Sequence, residues 1–211
     1  MVRIVLTAVD AELAEAWTRH CGDLADVAVH RGSILDVACD AVVSPANSFG
    51  FMDGGVDALY LRRFGEGLQR RVQSAIRAHH HGELLVGAAE IVETGYAAIP
   101  FLIAAPTMRV PMILAETVNS YLAARAALLL CDHGRFRDAA GTPVSTRVGC
   151  VAFPGLGTGV GRVPAEVCAR QMRAAIEAVR AGVAFPRTWV EASARHQLLY
   201  TERPRDLQYP E

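Results

Sequence analysis

The stretch from Val42 to Asp57 reads Val-Val-Ser-Pro-Ala-Asn-Ser-Phe-Gly-Phe-Met-Asp-Gly-Gly-Val-Asp, and it decides the fold. The apolar run Ala41 to Val43 predicts a buried strand that stops at Ser44-Pro45, because proline cannot donate to a strand ladder. A polar loop containing Asn47 follows, and a helix is predicted from Val56 onward. Strand, loop and helix in succession are typical of an α/β protein.

The loop carries residues suited to binding a ligand. Gly54 and Gly55 let backbone N–H groups approach a ligand closely, and the helix N-terminus that follows favours anions. Asn47 and Asp57 frame the loop and are candidates for contacting sugar hydroxyls or a water molecule. Short polar residues also cap turns, so a purely structural role for both side chains stays open at this point.

A second glycine-rich loop strengthens the case for a phosphate site. Gly149 to Phe153 predicts another buried strand, and the loop Pro154 to Pro164 leads from it into a further helix. Such a loop can cradle a phosphate with its backbone N–H groups. It is not a Walker P-loop, because no Gly-Lys-Ser/Thr follows and the chain contains no lysine. Its spacing also differs from the Gly-x-Gly-x-x-Gly pattern.

Taken together, the two loops resemble the macrodomain family, whose members bind ADP-ribose. That family typically shows Gly-Asp-Ile, Asp-Ala-Ile-Val-Asn-Ala-Ala-Asn, Gly-Gly-Val-Asp and Ser-Thr-Gly-Ile-Phe/Tyr-Gly in this order. The corresponding segments here are Gly32 to Ile34, Asp40 to Asn47, Gly54 to Asp57 and Gly157 to Gly161. The resemblance spans roughly residues 27–182 and implies a three-layer α/β/α fold with a central mixed sheet.

The resemblance implies that adenine lies near Ser33 and Ile34. The family's aspartate, which accepts a hydrogen bond from the adenine amine, is replaced by Ser33. This contact is therefore weakened or moved, with Asp36 as a candidate, while Ile34 still offers its backbone N–H. The family's aromatic residue beside the distal ribose falls on Gly161, which predicts a more open pocket at that end.

The resemblance also implies contacts to the phosphates and the distal ribose. Asn47 would contact the distal ribose, and Gly54, Gly55 and Val56 would cover the pyrophosphate and the distal ribose. Backbone N–H groups of the second loop would hold the distal phosphate; its residues are Gly157, Thr158, Gly159, Val160 and Gly161. Arg109, in a loop after a predicted strand, is a candidate phosphate or substrate contact by position, and equally a solvated loop arginine.

The Gly-Gly-Val-Asp motif is similar to that of the hydrolase branch, the MacroD-type enzymes. It implies that Asp57 is the catalytic carboxylate and that Asn47 and Gly55 are catalytic residues with it. Another branch forms a covalent adduct through a lysine, which a chain without lysine cannot do. The remaining route is a water, held between Asp57 and the substrate's phosphate, that attacks the anomeric carbon or the ester. The implied substrates are ADP-ribosylated acidic residues or O-acetyl-ADP-ribose, and no cofactor is expected.

Length and composition predict one globular domain over residues 1–211. The net charge of −1 gives no support for a nucleic-acid partner. No apolar run approaches the about 20 residues of a membrane span, so no membrane association is expected. Five cysteines without metal-ligand spacing predict buried, reduced thiols in a cytoplasmic protein. Residues 79–81 are three consecutive histidines, which cannot converge on one ion from a helix, so no metal site is predicted.

Apolar patterns elsewhere predict alternating strands and helices, with the binding crevice at the carboxyl ends of the strands. Further strands are predicted at residues 1–10, 27–30, 86–93, 101–106 and 183–190, the last of these being either the final strand of the sheet or a strand that leads into the tail. Helices are predicted at residues 11–20, 56–64, 67–78, 116–131 and 164–180. Residues 202–211 are predicted to form a peripheral extension.

Three functions compete at this stage. An ADP-ribosyl hydrolase acting on acidic protein residues is favoured, because Asp57 directly follows the glycine pair and Val56. A non-catalytic module that binds ADP-ribose or ADP-ribosylated proteins is the alternative suggested by the replacements at Ser33 and Gly161. The third function is binding of another nucleotide or phosphate ligand, including RNA ends, which the lack of basic clusters and interleaved aromatic residues disfavours.

Overall fold

The computed structural model describes residues 1–182 and 184–205, and within them six strands are interspersed with six helices. The strands are β1 (Arg3–Ala8), β2 (Val27–Arg31), β3 (Ala41–Ser44), β4 (Glu90–Glu93), β5 (Phe101–Ala104) and β6 (Cys150–Phe153). The helices are α1 (Ala11–Cys21), α2 (Gly55–Phe64), α3 (Gly67–His79), α4 (Asn119–His133), α5 (Ala165–Arg180) and α6 (Trp189–Gln197). In this part of the chain no helix is long and apolar enough to cross a membrane.

All six strands join one sheet in the order β2-β1-β6-β3-β5-β4. The first five strands in that order run parallel, whereas β4 at the edge runs antiparallel to β5. Strands β3, β5 and β6 are buried along their whole length, as expected for strands covered on both faces. The predicted central mixed sheet is confirmed, although β4 starts only at Glu90 and not at residue 86.

Helices cover both faces of this sheet and give three layers, as predicted. One apolar cluster joins residues of α1, α4 and α5 to strand residues such as Val43 and Phe153. A second cluster joins residues of α2 and α3 to their strand neighbours Val42 and Ala152. Adjacent strand residues point to opposite faces, which is why Val42 and Val43 belong to different clusters.

Two hydrogen bonds hold α2 to β3 and so position the first turn of α2. Tyr60 is fully buried, and its hydroxyl donates to the backbone oxygen of Val43 at 2.9 Å. Ser44, the last residue of β3, donates from its hydroxyl to the carboxyl of Asp57 at 2.5 Å. The N-terminal end of α2 therefore lies at the carboxyl end of β3, where ligands bind in α/β folds.

The predicted last strand at residues 183–190 is wrong over residues 184–190. Residues 184–188 are irregular, and helix α6 begins at Trp189. Thr188 caps this helix by accepting from the N–H of Glu191 at 3.1 Å, an arrangement that favours a helix start. Trp189 and Val190 are 61% and 63% exposed, so they do not supply a buried strand face. Residue 183, and residues 206–211 of the predicted extension, lie outside the described residues.

All five cysteines are buried and are free thiols, as predicted. Burial raises the pKa of Cys21, Cys39 and Cys168 to about 12, so these thiols stay protonated at neutral pH. Protonated buried thiols are poor nucleophiles and poor metal ligands, and they act as small apolar side chains.

Candidate functional site

A cavity of about 520 Å³ runs along the carboxyl ends of the five parallel strands. The segment after each parallel strand contributes to the lining of the cavity. In the order of the sheet, the lining residues are Ser33 and Ile34 after β2, Val9 and Asp10 after β1, and much of the loop from Pro154 to Gly161 after β6. Asn47 after β3, and Thr107 and Met108 after β5, complete the series. Gly54 and the first turn of α2 line it as well. The cavity is therefore long and follows the edge of the sheet.

Gly54 and Gly55 shape the N-terminal end of α2 at this cavity. Gly55 has φ +56°, a left-handed conformation that favours glycine. A Cβ atom at either position would meet no atom within 4 Å, so the space beside them is open. Within residues 1–182 and 184–205, the N–H groups of Gly55, Val56 and Asp57 have no acceptor, as expected for a first helical turn. This end of α2 can bind an anion.

The loop after β6 presents a second set of N–H groups. Its shape is fixed by bonds from Arg162 N to the oxygen of Gly159 and from Val163 N to the oxygen of Gly157, each 3.0 Å long. The five N–H groups from Gly157 to Gly161 have no acceptor in the described part of the chain. Successive free N–H groups in a turn form a concave site for anions. The structure thus brings both predicted glycine loops to one cavity.

Gly161 lines the cavity at a position where a side chain would clash with its neighbours. It is buried, and a Cβ atom there would lie 2.5 Å from the backbone oxygen of Gly157 and 2.9 Å from Cδ1 of Leu114. Leu114, fully buried, fills this space, and its N–H donates to the oxygen of Gly161 at 2.7 Å. Leu114 takes the space that a Cβ atom at residue 161 would need but is not among the cavity-lining residues, and the more open end stays a prediction.

Asp57 is a buried carboxyl that also lines the cavity. The residue is 3% exposed, and its Oδ1 accepts the hydrogen bond from the Ser44 hydroxyl. Burial raises the pKa of Asp57 to about 7, and the bond from Ser44 opposes this rise. Asp57 does not cap α2, because the N-cap residue is Gly54 and no side chain makes the capping bond. This carboxyl can take up or release a proton near neutral pH.

Asn47 lies at the cavity but uses most of its side chain to shape its own loop. Its Oδ1 accepts from the N–H groups of Phe49 at 3.1 Å and Phe51 at 3.3 Å, and its Nδ2 donates to the oxygen of Phe51 at 2.8 Å. The turn-forming role that the sequence left open is therefore present. The second N–H of the Asn47 amide has no acceptor among the described residues, so it can still donate to a ligand.

Ser33 and Ile34 line the opposite end of the cavity, beside β1. The Ser33 hydroxyl accepts from the N–H of Leu35 at 3.2 Å and caps a short 3-10 turn, Ile34–Asp36. Asp36 is exposed and is not among the residues that line the cavity, so it does not replace the carboxylate expected at Ser33. The N–H of Ile34 has no acceptor in residues 1–182 and 184–205.

Arg109 lies outside the cavity lining, unlike its neighbour Met108. Its guanidinium pairs with Glu83 at 2.7 and 3.2 Å and lies 5.2 Å from the ring centre of Phe49. The side chain is 63% exposed, so this ion pair contributes little to stability. The structure places Arg109 with Glu83 on the surface and not with the predicted site.

The run of histidines contacts a carboxylate in place of a metal ion. His79 Nδ1 and His80 Nε2 lie 3.1 and 2.9 Å from one oxygen of the buried Glu90, which begins β4. These contacts tie the end of α3 to the edge of the sheet. Across the described residues, no group of three or more His, Cys, Asp or Glu side chains is arranged to hold a metal.

Sequence reasoning missed several residues of the site. Ser44, which holds Asp57, and the cavity-lining Asp10 and Arg62 were not identified. Asp10 directly follows a predicted strand, so the rule that ligands bind at carboxyl ends of parallel strands could have found it. Arg62 lies on α2 one turn or more beyond Asp57 and had no such signal.

The raised pKa of Asp57 predicts a pH-dependent effect of Asp57→Asn on stability. The unfolded carboxyl loses its proton near pH 3.8 and the folded one near pH 7, so the carboxyl progressively destabilises the fold between these values. The neutral asparagine side chain avoids this cost. We expect the variant to match the wild type at pH 4 and to exceed it at pH 8 by a few kcal/mol, at most about 4.

Urea unfolding at both pH values measures this difference. Asp53→Asn is the matched control, because Asp53 is an exposed carboxylate close to the same turn. An equal stability difference at pH 4 and pH 8 for Asp57→Asn would contradict the raised pKa.

Comparison with known proteins agrees with this architecture. The family model described as Macro domain matches residues 43–172. An uncharacterised protein of Aquifex aeolicus is 38% identical over 147 residues, which cover 70% of this chain and 78% of that protein. Another, from Aeropyrum pernix, is 32% identical over 162 residues, or 76% of each chain.

Solved macrodomain structures share the fold at low sequence identity. The Oceanobacillus iheyensis macrodomain with ADP matches with a TM-score of 0.57 at 20% identity, over 80% of this chain and 84% of that one. The macrodomain of Mycobacterium tuberculosis DarG matches with a TM-score of 0.56 at 19% identity, over 70% and 88%. Because the family model covers more than half of its length and the fold agrees, the chain belongs to the Macro domain family.

Proposed function

We propose that this chain binds ADP-ribose in the cavity at the carboxyl ends of its strands. The observation that carries the proposal is that two sets of residues, at the start of α2 and in the loop Gly157 to Gly161, line one cavity and have backbone N–H groups without acceptors in the described residues. Such groups fit the pyrophosphate of a nucleotide sugar. In support, macrodomains of Oceanobacillus iheyensis have been solved with ADP and with ADP-ribose.

The length of the cavity suits an extended ligand. The strand ends from β2 to β5 span four strand intervals, which amounts to roughly 19 Å at about 4.8 Å per interval. A base at the β2 end, phosphates beside the central β6 loop and a ribose near Asn47 would fill it in order. The apolar residues at the β2 end include Ile34, which favours a base over a sugar there.

We propose further that the chain hydrolyses ADP-ribose esters, with Asp57 as general base. Asp57 would take a proton from a water as that water's oxygen forms a bond to the anomeric carbon. The bond from this carbon to the acyl oxygen breaks, and the acyl group leaves as a carboxylate with the bonding electron pair. Asp57 then returns its proton to solvent. In attack at the ester carbonyl the bond from the acyl carbon to the sugar oxygen breaks, and this oxygen takes the proton from Asp57, which gives the same products. A pKa of about 7 suits a general base near neutral pH.

The substrate class follows from the leaving group. In attack at the anomeric carbon of ADP-ribosylated Asp or Glu, a carboxylate leaves readily without a strong general acid. In O-acetyl-ADP-ribose the water attacks the ester carbonyl, and the departing sugar oxygen takes up the proton that Asp57 accepted from the water. The chain has no lysine, so a covalent adduct through a lysine is not available. Hydrolysis of acidic-residue esters therefore requires the fewest catalytic groups from the residues present.

We propose a cytoplasmic location together with this function, and the five unpaired thiols support it.

A non-catalytic module that binds ADP-ribosylated proteins is the second candidate. Two observations favour it: the Asp57 carboxyl is buried and bonded to Ser44, and Asn47 is engaged in its own turn. In these positions both side chains can have a purely structural role. The two candidates share the binding site and differ only in turnover, so activity measurements on Asp57 variants distinguish them.

ADP-ribose should raise the melting temperature. A ligand present at about 100 times its Kd adds about 2.7 kcal/mol to the stability of the protein that binds it. For a chain of this size, about 2–4 °C per kcal/mol gives a shift of roughly 5–10 °C. Thermal unfolding with increasing ADP-ribose measures it, with free ribose at equal concentration as the control. Absence of any shift at millimolar ADP-ribose would remove the binding proposal.

Gly159→Glu should abolish binding of ADP-ribose without unfolding the protein. A Cβ atom at residue 159 meets no atom within 4 Å, so the loop can accept a side chain. The glutamate would place a negative charge in the cradle that faces the phosphate. Gly159→Ala is the matched control and should keep the affinity within a few-fold. Equal affinity of the two variants in calorimetry would show that the phosphate binds elsewhere.

Turnover should depend on Asp57 far more than binding does. Asp57→Asn and Asp57→Ala should lower hydrolysis of glutamate-linked ADP-ribose by about 10²- to 10⁴-fold, the usual contribution of a positioned general base. Affinity should hold or improve, because a carboxylate near the ligand's phosphates is removed. Asn47→Ala should instead weaken binding and turnover together. The assay pairs product release with calorimetry on the same preparations.

Two outcomes would count against this assignment. Wild-type rates in either Asp57 variant would take Asp57 out of the mechanism. No activity in the wild type, with ADP-ribose still bound, would favour the non-catalytic module.

A further inference from the structure

The hydroxyl of Ser44 starts from a rigid point of the sheet. Ser44 is the last residue of β3, is 5% exposed and lies opposite Ala104 of β5. Its backbone oxygen accepts from the N–H of Ala105 at 2.9 Å. Pro45 follows, and a residue before proline is held in an extended conformation. The backbone of Ser44 is therefore fixed, which leaves its side chain little freedom to move.

The two carboxyl oxygens of Asp57 have different surroundings. Oδ1 accepts from the Ser44 hydroxyl at 2.5 Å. Oδ2 has no hydrogen-bond partner in the described residues, yet it is not one of their enclosed polar atoms, so it stays accessible. Because Asp57 lines the cavity and Ser44 does not, this accessible oxygen is the one toward the cavity. The bond from Ser44 thus decides which oxygen a water in the cavity can meet.

Few other titratable groups surround the Asp57 carboxyl, so burial and Ser44 determine its pKa. The buried side chains of α3 are apolar, and residues 154–161 after β6 include no titratable side chain. Tyr60 lies on the same helix and is neutral, because burial and then Asp57 raise its pKa. The charged residues that share the cavity with Asp57 are exposed, and solvent screens them: Asp10, Asp53 and Arg62.

We propose that Ser44 is a positioning residue for the hydrolysis: its hydroxyl holds Oδ1 of Asp57 toward β3 and keeps the carboxylate ionised, with Oδ2 toward the attacking water. This inference rests on the hydrolysis proposed above. A hydroxyl donates a stronger hydrogen bond to a carboxylate than to a neutral carboxyl, so the bond favours the form of Asp57 that can accept a proton. Without the Ser44 hydroxyl, Oδ1 loses its donor and burial keeps Asp57 protonated to higher pH.

Urea unfolding tests the bond without any ligand. Relative to the wild type, Ser44→Ala should lose more stability at pH 8 than at pH 4. The pKa of folded Asp57 moves further above the unfolded value of 3.8, so the destabilisation by the ionised carboxyl grows as pH rises. Tyr60→Phe is the matched control, because it removes a neutral bond between the same two elements, from Tyr60 to the oxygen of Val43. Its loss of stability should be equal at both pH values.

The pH profile of turnover tests the role of Ser44 in the reaction. On glutamate-linked ADP-ribosylated protein, the acidic limb of the kcat profile should move up by about one pH unit in Ser44→Ala, because a bond to a charged acceptor is lost. At pH 6 kcat should therefore fall about tenfold, and the loss should shrink toward pH 8. KM and the Kd of ADP-ribose should stay within about threefold, because Ser44 is not part of the cavity lining.

Ser44→Thr and Ser44→Val form a matched pair. Their side chains have nearly the same size and both suit a strand, but only threonine keeps the hydroxyl. Ser44→Thr should keep the wild-type pH profile, and Ser44→Val should show the profile expected of Ser44→Ala. The pair decides the question even where the alanine variant is too unstable to assay.

The outcomes separate this inference from the proposed function. If the wild type does not hydrolyse the ester, the proposed function fails and this inference fails with it. If the wild type is active and Ser44→Val keeps its pH profile, the inference alone is wrong. A shift of the acidic limb in Tyr60→Phe as large as that in Ser44→Ala would also overturn it, because the effect would then come from loosening α2.

Discussion

The site depends on one constraint: the donors that its two glycine loops offer to an anion are backbone N–H groups, and side-chain cations are scarce beside them. The chain has no lysine, and Arg62 is the one arginine among the described residues that line the cavity. Free N–H groups must therefore converge, which requires backbone conformations that only glycine adopts readily. Gly55 at φ +56° and Gly157 at φ +73° supply them. The strand order then decides where these groups meet, because it places the loop after β6 next to β3.

Much of the fold could be predicted because its strands are short apolar runs that end at residues, such as proline, that cannot continue a strand. The run at Ala41 to Val43, stopped by Pro45, is such a case. The same reasoning fails at residues 184–190, where an apolar composition suggests a strand. The decisive signals there are Thr188 as a cap and Glu191 three residues later, which together favour a helix start. A strand also needs a partner edge, and no local pattern shows whether one is available.

The site was predictable to the extent that it is made of local loops. Both glycine loops follow directly from the sequence, whereas contacts between distant segments do not. The bond from Ser44 to Asp57 depends on α2 packing over β3, and the position of Asp10 depends on β1 lying beside β2. The sequence could not decide between the two alternatives for Arg109 for the same reason, since its partner Glu83 is 26 residues away in the chain. Sequence patterns specify the elements, and tertiary packing decides which side chains meet.

The contact between Gly161 and Leu114 limits how this protein can diverge. A substitution at residue 161 clashes with the loop's own backbone at Gly157 as well as with Leu114. A smaller residue in place of Leu114 would relieve only one of the two clashes. A second substitution at residue 114 therefore cannot make room for a side chain at residue 161. An aromatic residue could enter here only with a loop of different length or path. The backbone oxygen of Gly157, and not the size of Leu114, therefore keeps residue 161 a glycine on the present path of the loop.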